Sequence, residues 1–394
     1  SLVIKGCMFM IRDFSSIPIS PVAIADSIPE VERQKGISVV RFDVAEPYFD
    51  PPPSAIESTI KALEEGYRHY APTRGLFELR EAIAEFLGKS RGLNYHPEDI
   101  IVTPGAKFAI YSFFASVLSP GDEVVLLTPY WSSFKAVPLL FGCKKIKEVL
   151  TREPYTVDEE KLKEALTPKT KALVINTPNN PTGGVLDEQS LRAISDLTED
   201  YKTFILSDEV DWAYTYDGKK HVSQASIKGA RDRTLLVDSF SKVFAMTGWR
   251  IGYAAGPRDL IDAMNIVQQH SVTGPATFIQ RACIDVLKEA ELYVRNLLVQ
   301  SSAKRETIIK GLKKIDRLSF QIPEGAFYIY PNAKDFGIRA DDLSRKLLFD
   351  AAVAVAPGTL FGAGGEYSFR ICYALPDRDL EEGINRLIGF FSRL

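Results

Sequence analysis

The run Thr234-Leu235-Leu236-Val237-Asp238-Ser239-Phe240-Ser241-Lys242 sets an apolar stretch directly before groups that do chemistry. The stretch Thr234 to Asp238 reads as a buried strand. A hydroxyl and an amine follow it, and Met246-Thr247-Gly248-Trp249 leads on to the guanidinium of Arg250. Polar groups delivered at a strand end suit an open α/β sheet, where ligands sit outside the carboxyl ends of the strands. Such a cluster binds an anion or activates a carbonyl through an imine. Alone, the Ser-x-x-Lys pattern is equally a solvated turn.

Outward from this run the same pattern repeats. Strands are expected at Ile100 to Thr103, Glu123 to Thr128, Ala172 to Asn176 and Thr203 to Ser207, with helices over Lys107 to Leu118, Ser132 to Phe141 and Glu188 to Asp200. The alternation predicts a mainly parallel sheet sandwiched by helices. Upstream, Pro51-Pro52-Pro53 stiffens the entry to a helix that Ser54 caps and that carries Ile56, Ile60, Leu63 and Tyr67. A second helix carries Leu76, Leu79, Ile83, Phe86 and Leu87 before Gly88. Beyond about residue 285 the pattern becomes a long charged helix to about Ile315, short strands near Leu318 to Ile322, Ala326 to Tyr330 and Tyr367 to Tyr373, and a helix from Asp377 to Ser392. The expected organisation is a large domain over 47–285, with 1–46 and 286–394 forming an N-terminal segment and a smaller α+β domain.

Three more loops carry polar groups that a scaffold does not need. Asn176-Thr177-Pro178-Asn179-Asn180-Pro181-Thr182-Gly183-Gly184 follows a strand directly, although its residues are also ordinary turn formers. Ser207-Asp208-Glu209 puts two acids at the end of an apolar strand, where a carboxylate needs a cationic partner or serves as a cap. Thr103-Pro104-Gly105-Ala106-Lys107 is a small-residue loop opening a helix, whose free N–H groups favour phosphate.

Composition narrows the function classes. With 45% apolar residues, 25% charged residues and a net charge of −3, the chain lacks the basic excess that nucleic acids or anionic membranes attract. No stretch is long and apolar enough for a membrane span, and the apolar start Val3 to Ile11 is interrupted by Lys5. Cys7, Cys143, Cys283 and Cys372 lie far apart without metal-ligand spacing, so free thiols in a reducing cytoplasm are expected. The four histidines share no spacing for a metal site or a triad, and no metal is expected.

Taken together, the four loops and their order resemble the fold-type I pyridoxal-phosphate aminotransferases, most closely the prokaryotic aspartate aminotransferase group. The resemblance runs from Glu46-Pro47 to Arg370. It implies pyridoxal 5′-phosphate as cofactor, held as a Schiff base on Lys242, and transamination between a dicarboxylic amino acid such as aspartate and a 2-oxo acid. It also implies Asp208 on the pyridine nitrogen, Asn180 on the ring oxygen, and Ser239, Arg250, Gly105, Ala106 and Lys107 at the phosphate. Trp131 would stack on the ring, Tyr70 would reach the neighbouring subunit's phosphate in a homodimer with shared sites, and Lys107 would also reach the distal carboxylate. Arg370 would clamp the substrate α-carboxylate, near Asn180 and Ala45.

The implied roles of Lys242 and Asp208 agree with elementary chemistry. A carboxylate that keeps the pyridine nitrogen protonated turns the ring into an electron sink, and a lysine with a lowered pKa acts as general base and acid. Two positions depart from the resemblance. Asp211 stands where the family has a tyrosine that donates to the ring oxygen, and Ala45 stands where it has glycine before Glu-Pro. An ionised Asp211 would repel the ring phenolate, or it would point away and leave the contact to Trp212 or Tyr214. The alternatives are a carbon–sulfur β-lyase and an aminotransferase for aromatic or other amino acids.

Overall fold

The computed structural model describes residues 14, 15, 17, 18 and 26–394. The Val3 to Ile11 stretch and Cys7 lie outside them. Strand β1 (Val40–Arg41) precedes a seven-stranded sheet made of β2 (Ile100–Thr103), β3 (Glu123–Thr128), β4 (Lys145–Leu150), β5 (Thr170–Asn176), β6 (Phe204–Asp208), β7 (Thr234–Ser239) and β8 (Gly252–Ala255). The order across the sheet is β2-β8-β7-β6-β5-β3-β4. The pairs from β4 through β7 are parallel, and β8 runs antiparallel to both its neighbours.

Strands buried on both faces need apolar residues throughout, which is why β2, β3 and the bulk of β5 to β7 read as continuous apolar runs. Phe113 and Met264, from helices Ala106–Val117 and Arg258–Gln269, pack with Leu126 and Ala254 on one face. Leu191 and Ile194 of helix Glu188–Glu199 pack with Leu173 and Ile205 on the other. The chain is therefore an α/β protein with a mainly parallel sheet between helices.

The reversal of β8 positions the site. Gly252 lies level with Thr103 of β2 and Ser239 of β7, so the loops after β2 and β7 and the residues just before β8 meet at one sheet end. Outside this sheet lie β9 (Tyr328–Ile329), β10 (Val353–Ala354), β11 (Ala356–Pro357) and β12 (Phe369–Cys372) with helices Ala290–Leu312, Ala340–Ala351 and Asp377–Phe391. The antiparallel order is β11-β12-β9, and β1 pairs in parallel with β10, which ties the N-terminal segment to these C-terminal elements.

Several local expectations are corrected. Strand β4, strand β8 and helix Glu159–Ala165 do not stand out in the sequence pattern, and the strand expected at Leu318 to Ile322 is only a bridge between Ser319 and Asn332. Ser54 does not cap its helix, which starts at Pro53; its hydroxyl donates to Glu289 at 3.1 Å. Tyr67 lies past that helix's end, and Ile56 and Ile60 are 52% and 54% exposed, because the helix buries its small face of Ser54, Ala55 and Ala62 instead. The next helix runs through Gly88 to Arg91 and stops at Gly92, whose φ of 67° is a left-handed cap.

Candidate active site

The four polar loops converge on one cavity of about 380 Å³. Its walls include Ala45, Ala106, Lys107, Trp131, Asn180, Asp208, Ser239, Lys242, Arg250 and Arg370. Tyr70 is not among them and stands 92% exposed elsewhere on the surface. A larger groove, about 930 Å³, lies between residues 37–41 and the C-terminal helix and holds none of the sequence-predicted site residues.

Each loop is held by its own side chains. The Asn179 carboxamide accepts from Thr182 N at 3.1 Å and Oγ1 at 2.8 Å, while its Nδ2 donates to Tyr155 at 2.8 Å. Asn176 accepts from the Asn180 backbone N–H at 2.7 Å and donates to the Asp208 carbonyl at 3.1 Å, locking two strand ends together. The Asn180 amide oxygen is left to accept from Arg370 Nη1 at 2.9 Å.

At the opposite wall, Gly105 has φ 78°, and a Cβ there would lie 2.7 Å from Arg250 Nη2. The positive φ favours glycine here, and a side chain would also push the guanidinium aside. Helix Ala106–Val117 begins at Gly105 with no side-chain cap, so its first N–H groups, Lys107 and Arg250 form one cationic corner. Lys107 Nζ lies 4.9 Å from the Trp131 ring centroid, and burial, then Arg250, lowers its pKa.

The floor carries acids. Asp208, at the end of β6, accepts from Val210 N at 3.2 Å; burial pushes its pKa up to about 8, with Asp211 and Asp238 adding to the rise. Such a carboxyl stays neutral until a cation reaches it. Burial lowers the pKa of Lys242, whose amine donates to the Ala45 carbonyl. Arg370 is 2% exposed, donates to Asn180 and to the Asp43 carbonyl, and keeps a buried Nε without a partner among the described residues.

Asp211 faces inward: it lines the cavity, is 1% exposed, and its Oδ1 has no hydrogen-bond partner among the described residues. Trp212 and Tyr214 do not take over its contact. Tyr214 donates its hydroxyl to the Lys242 carbonyl at 2.9 Å, and Trp212 packs under Arg91.

Glu46, Thr247, Asp43 and Tyr328 also line the cavity and carry no assigned role in the sequence reading. Thr247 donates to Glu46, bridging the N-terminal segment and the loop before β8. Glu46 and Thr247 fall inside the quoted stretches, but Asp43 and Tyr328 come from distant segments without a local motif.

These residues fit pyridoxal phosphate. The cationic corner with uncapped N–H groups suits a phosphate, Trp131 offers a flat face, and the buried Asp208 calls for a cationic nitrogen. Among the described residues no cluster could hold a metal ion, and no helix is long and apolar enough to cross a membrane.

Comparison with known proteins agrees. The family model "Aminotransferase class I and II" matches residues 37–387. A probable aspartate/prephenate aminotransferase of Aquifex aeolicus is 40% identical, covering 90% of this chain and 91% of that protein. Aromatic-amino-acid aminotransferase 2 of Thermococcus litoralis is 37% identical over 89% of this chain and 90% of its own. The solved structure of Thermus thermophilus aspartate aminotransferase with maleate superposes with a TM-score of 0.89 at 35% identity, covering 96% of this chain and all of that one (100%).

Proposed function

The chain belongs to the class I and II aminotransferase family and is a pyridoxal-phosphate-dependent transaminase, and from that premise we propose that its amino donor is a dicarboxylic amino acid such as aspartate. The observation that carries this is Lys107, a cation on the cavity wall whose Nζ lies 4.9 Å from the Trp131 ring centroid. A second carboxylate on the substrate would neutralise it. The same dicarboxylate chemistry appears in the maleate bound by the Thermus relative. The acceptor is a 2-oxo acid such as 2-oxoglutarate.

Pyridoxal phosphate supplies, when bound, a carbonyl for the amino group and a ring that accepts electrons. The residues of this chain do the rest. Asp208 would hold the proton on the ring nitrogen, and Asn180 and Trp131 would orient the ring. Gly105, Ala106, Lys107, Ser239 and Arg250 would bind the phosphate. Lys242, its pKa lowered by burial, would tether the cofactor and serve as general base and acid toward the proton on the substrate Cα. Arg370 would offer its planar fork to the α-carboxylate, with Ala45 on the same cavity wall. Because Arg370 comes from β12 while most of the others belong to 47–285, substrate binding draws 286–394 and the N-terminal segment onto the large body and excludes water.

A homodimer with shared sites goes with this reading. Tyr70 is an almost fully exposed aromatic, and Ile56 and Ile60 leave an uncovered apolar stripe. A partner subunit that covers the stripe would receive Tyr70 at its phosphate. A cytoplasmic location suits the buried free thiols of Cys143, Cys283 and Cys372.

Kinetics of Lys107→Ala test the donor assignment: KM should rise far more for aspartate than for phenylalanine. Equal effects on both donors remove the basis for it. Tyr70→Phe should weaken cofactor retention, and light scattering should give a dimer mass; a fully active monomer contradicts the shared site.

A further inference from the structure

We propose that Asp211 is a positioning residue that acts through Lys242, its carboxylate pairing with the Lys242 nitrogen and raising that nitrogen's affinity for a proton. The inference deepens the transaminase reading and rests on Lys242 being the lysine that carries the cofactor.

The case is geometric. Asp211 is buried, Lys242 is half-buried, and both line the same cavity. One oxygen of the Asp211 carboxyl has no partner among the described residues, which a buried carboxyl tolerates poorly. Its own loop does not satisfy that oxygen, since Trp212 lies under Arg91 and the Tyr214 hydroxyl goes to the Lys242 carbonyl.

Two cations face it from other elements. Arg370, on β12, has its two terminal nitrogens engaged by Asn180 and the Asp43 carbonyl. Lys242 carries its amine on a flexible stem and donates to the Ala45 carbonyl. Lys242 is the strongest charge acting on Asp211, and Asp211 is the strongest acting on Lys242.

The remaining ionisable neighbours do not replace this pairing. Asp238 on β7 is a like charge that opposes ionisation of Asp211, and Asp208 on β6 is itself pushed toward its neutral form. Tyr328 on β9 and Tyr216 are buried phenols held neutral. Glu46 and Cys372 act on Lys242 more weakly than Asp211 does.

Burial pushes Asp211 up to about 7 and Lys242 down from its usual value, so the two groups approach each other's range. A proton can then pass between them: the carboxyl O–H breaks, an N–H forms, and the total charge of the site is unchanged. A phenol at position 211, with its much higher pKa, would leave the lysine nitrogen without this anion.

The test is a pH titration of the visible absorbance of purified holoenzyme with no amino donor present. In the wild type the midpoint should lie about one pH unit or more above that of Asp211→Asn, a tenfold change in ionisation constant. Asp211→Glu, which keeps the carboxylate, should stay near the wild type. Coincident midpoints for wild type and Asp211→Asn overturn the proposal. If Asp211→Asn releases the cofactor, the pH dependence of its recombination rate with free pyridoxal phosphate reports the same quantity, because only the neutral amine reacts. An unshifted rate profile overturns the proposal equally. Lys242→Ala serves as the separate check: if its pH-dependent band survives, the assignment of Lys242 has failed, independently of what Asp211 does.

Discussion

Asp208 and Glu209 are neighbours in sequence and equally buried, yet their environments differ completely. Glu209 accepts from Ser207 at 2.8 Å, Ser223 at 2.7 Å and Arg91 at 3.3 Å, and its other contact is His221 at 2.9 Å. Burial alone would raise its pKa, but His221, Arg91 and Ser223 outweigh burial and hold it below the usual carboxylate value. Arg91 also binds Asp238, to which Tyr253 donates at 2.7 Å. Asp208, one residue earlier, has a backbone N–H and a pKa near 8. The difference separates buried charge used to build from buried charge kept for a ligand. The first cluster supplies its acids with partners from the chain itself; the second leaves Asp208 with a backbone N–H and no cation among the described residues.

The contrast fails most visibly if the open cluster is not the working one. Lys242→Ala should lower the rate of the aspartate to 2-oxoglutarate reaction by several orders of magnitude in a protein that still folds and binds cofactor through Arg250, Ser239 and Asp208. Near-normal turnover would end the assignment.

The closed cluster should answer in stability. Arg91→Met strands Glu209 and Asp238 in the interior, and denaturation of the cofactor-free protein should show a loss of about 3–5 kcal/mol. A smaller loss, about 1–3 kcal/mol, is expected for His221→Asn, which removes one of several partners of Glu209.

The last prediction concerns pH. Asp208 has a folded pKa of about 8 against an unfolded value of about 3.9, so its contribution to stability is complete below about pH 4 and is lost as pH rises through about 8. In the cofactor-free state, Tm of the wild type minus Tm of Asp208→Asn should therefore fall as pH rises across this range. Saturation with pyridoxal phosphate should flatten the trend. A constant difference without cofactor would show that Asp208 is already satisfied.

Much of this arrangement was legible in the sequence where one residue's environment dictates its type. Doubly buried strands such as β3 and β7 must be apolar, and the loops after them stand out through Asn, Pro, Gly and charged residues that packing does not require. The edge strand β4 hides its identity behind Lys145, Lys147 and Glu148, which belong on an edge facing solvent and other chains. Apart from Tyr253, strand β8, Gly252-Tyr253-Ala254-Ala255, is made of small residues with weak strand preference. The apolar face of Ile56 and Ile60 reads as core because periodicity does not reveal which face a helix presents to its own chain. The partners of Arg370 were illegible for another reason: the Asp43 carbonyl and the Tyr328 ring come from segments far away along the chain.

The reversed direction of β8 has a consequence for how far this chain can be altered. A parallel strand would have to be reached by a crossover of a dozen or more residues that carries the backbone to the far end of the sheet before it returns. An antiparallel strand starts where its predecessor stops, so the segment from Ser239 to Gly252 never leaves the ligand-binding edge. That segment works as a ruler: it sets the interval between the amine of Lys242 and the guanidinium of Arg250, and Gly105 fixes where the guanidinium passes. Insertions in most surface loops change only the length of a tether, but one here would change the interval between the amine of Lys242 and the guanidinium of Arg250.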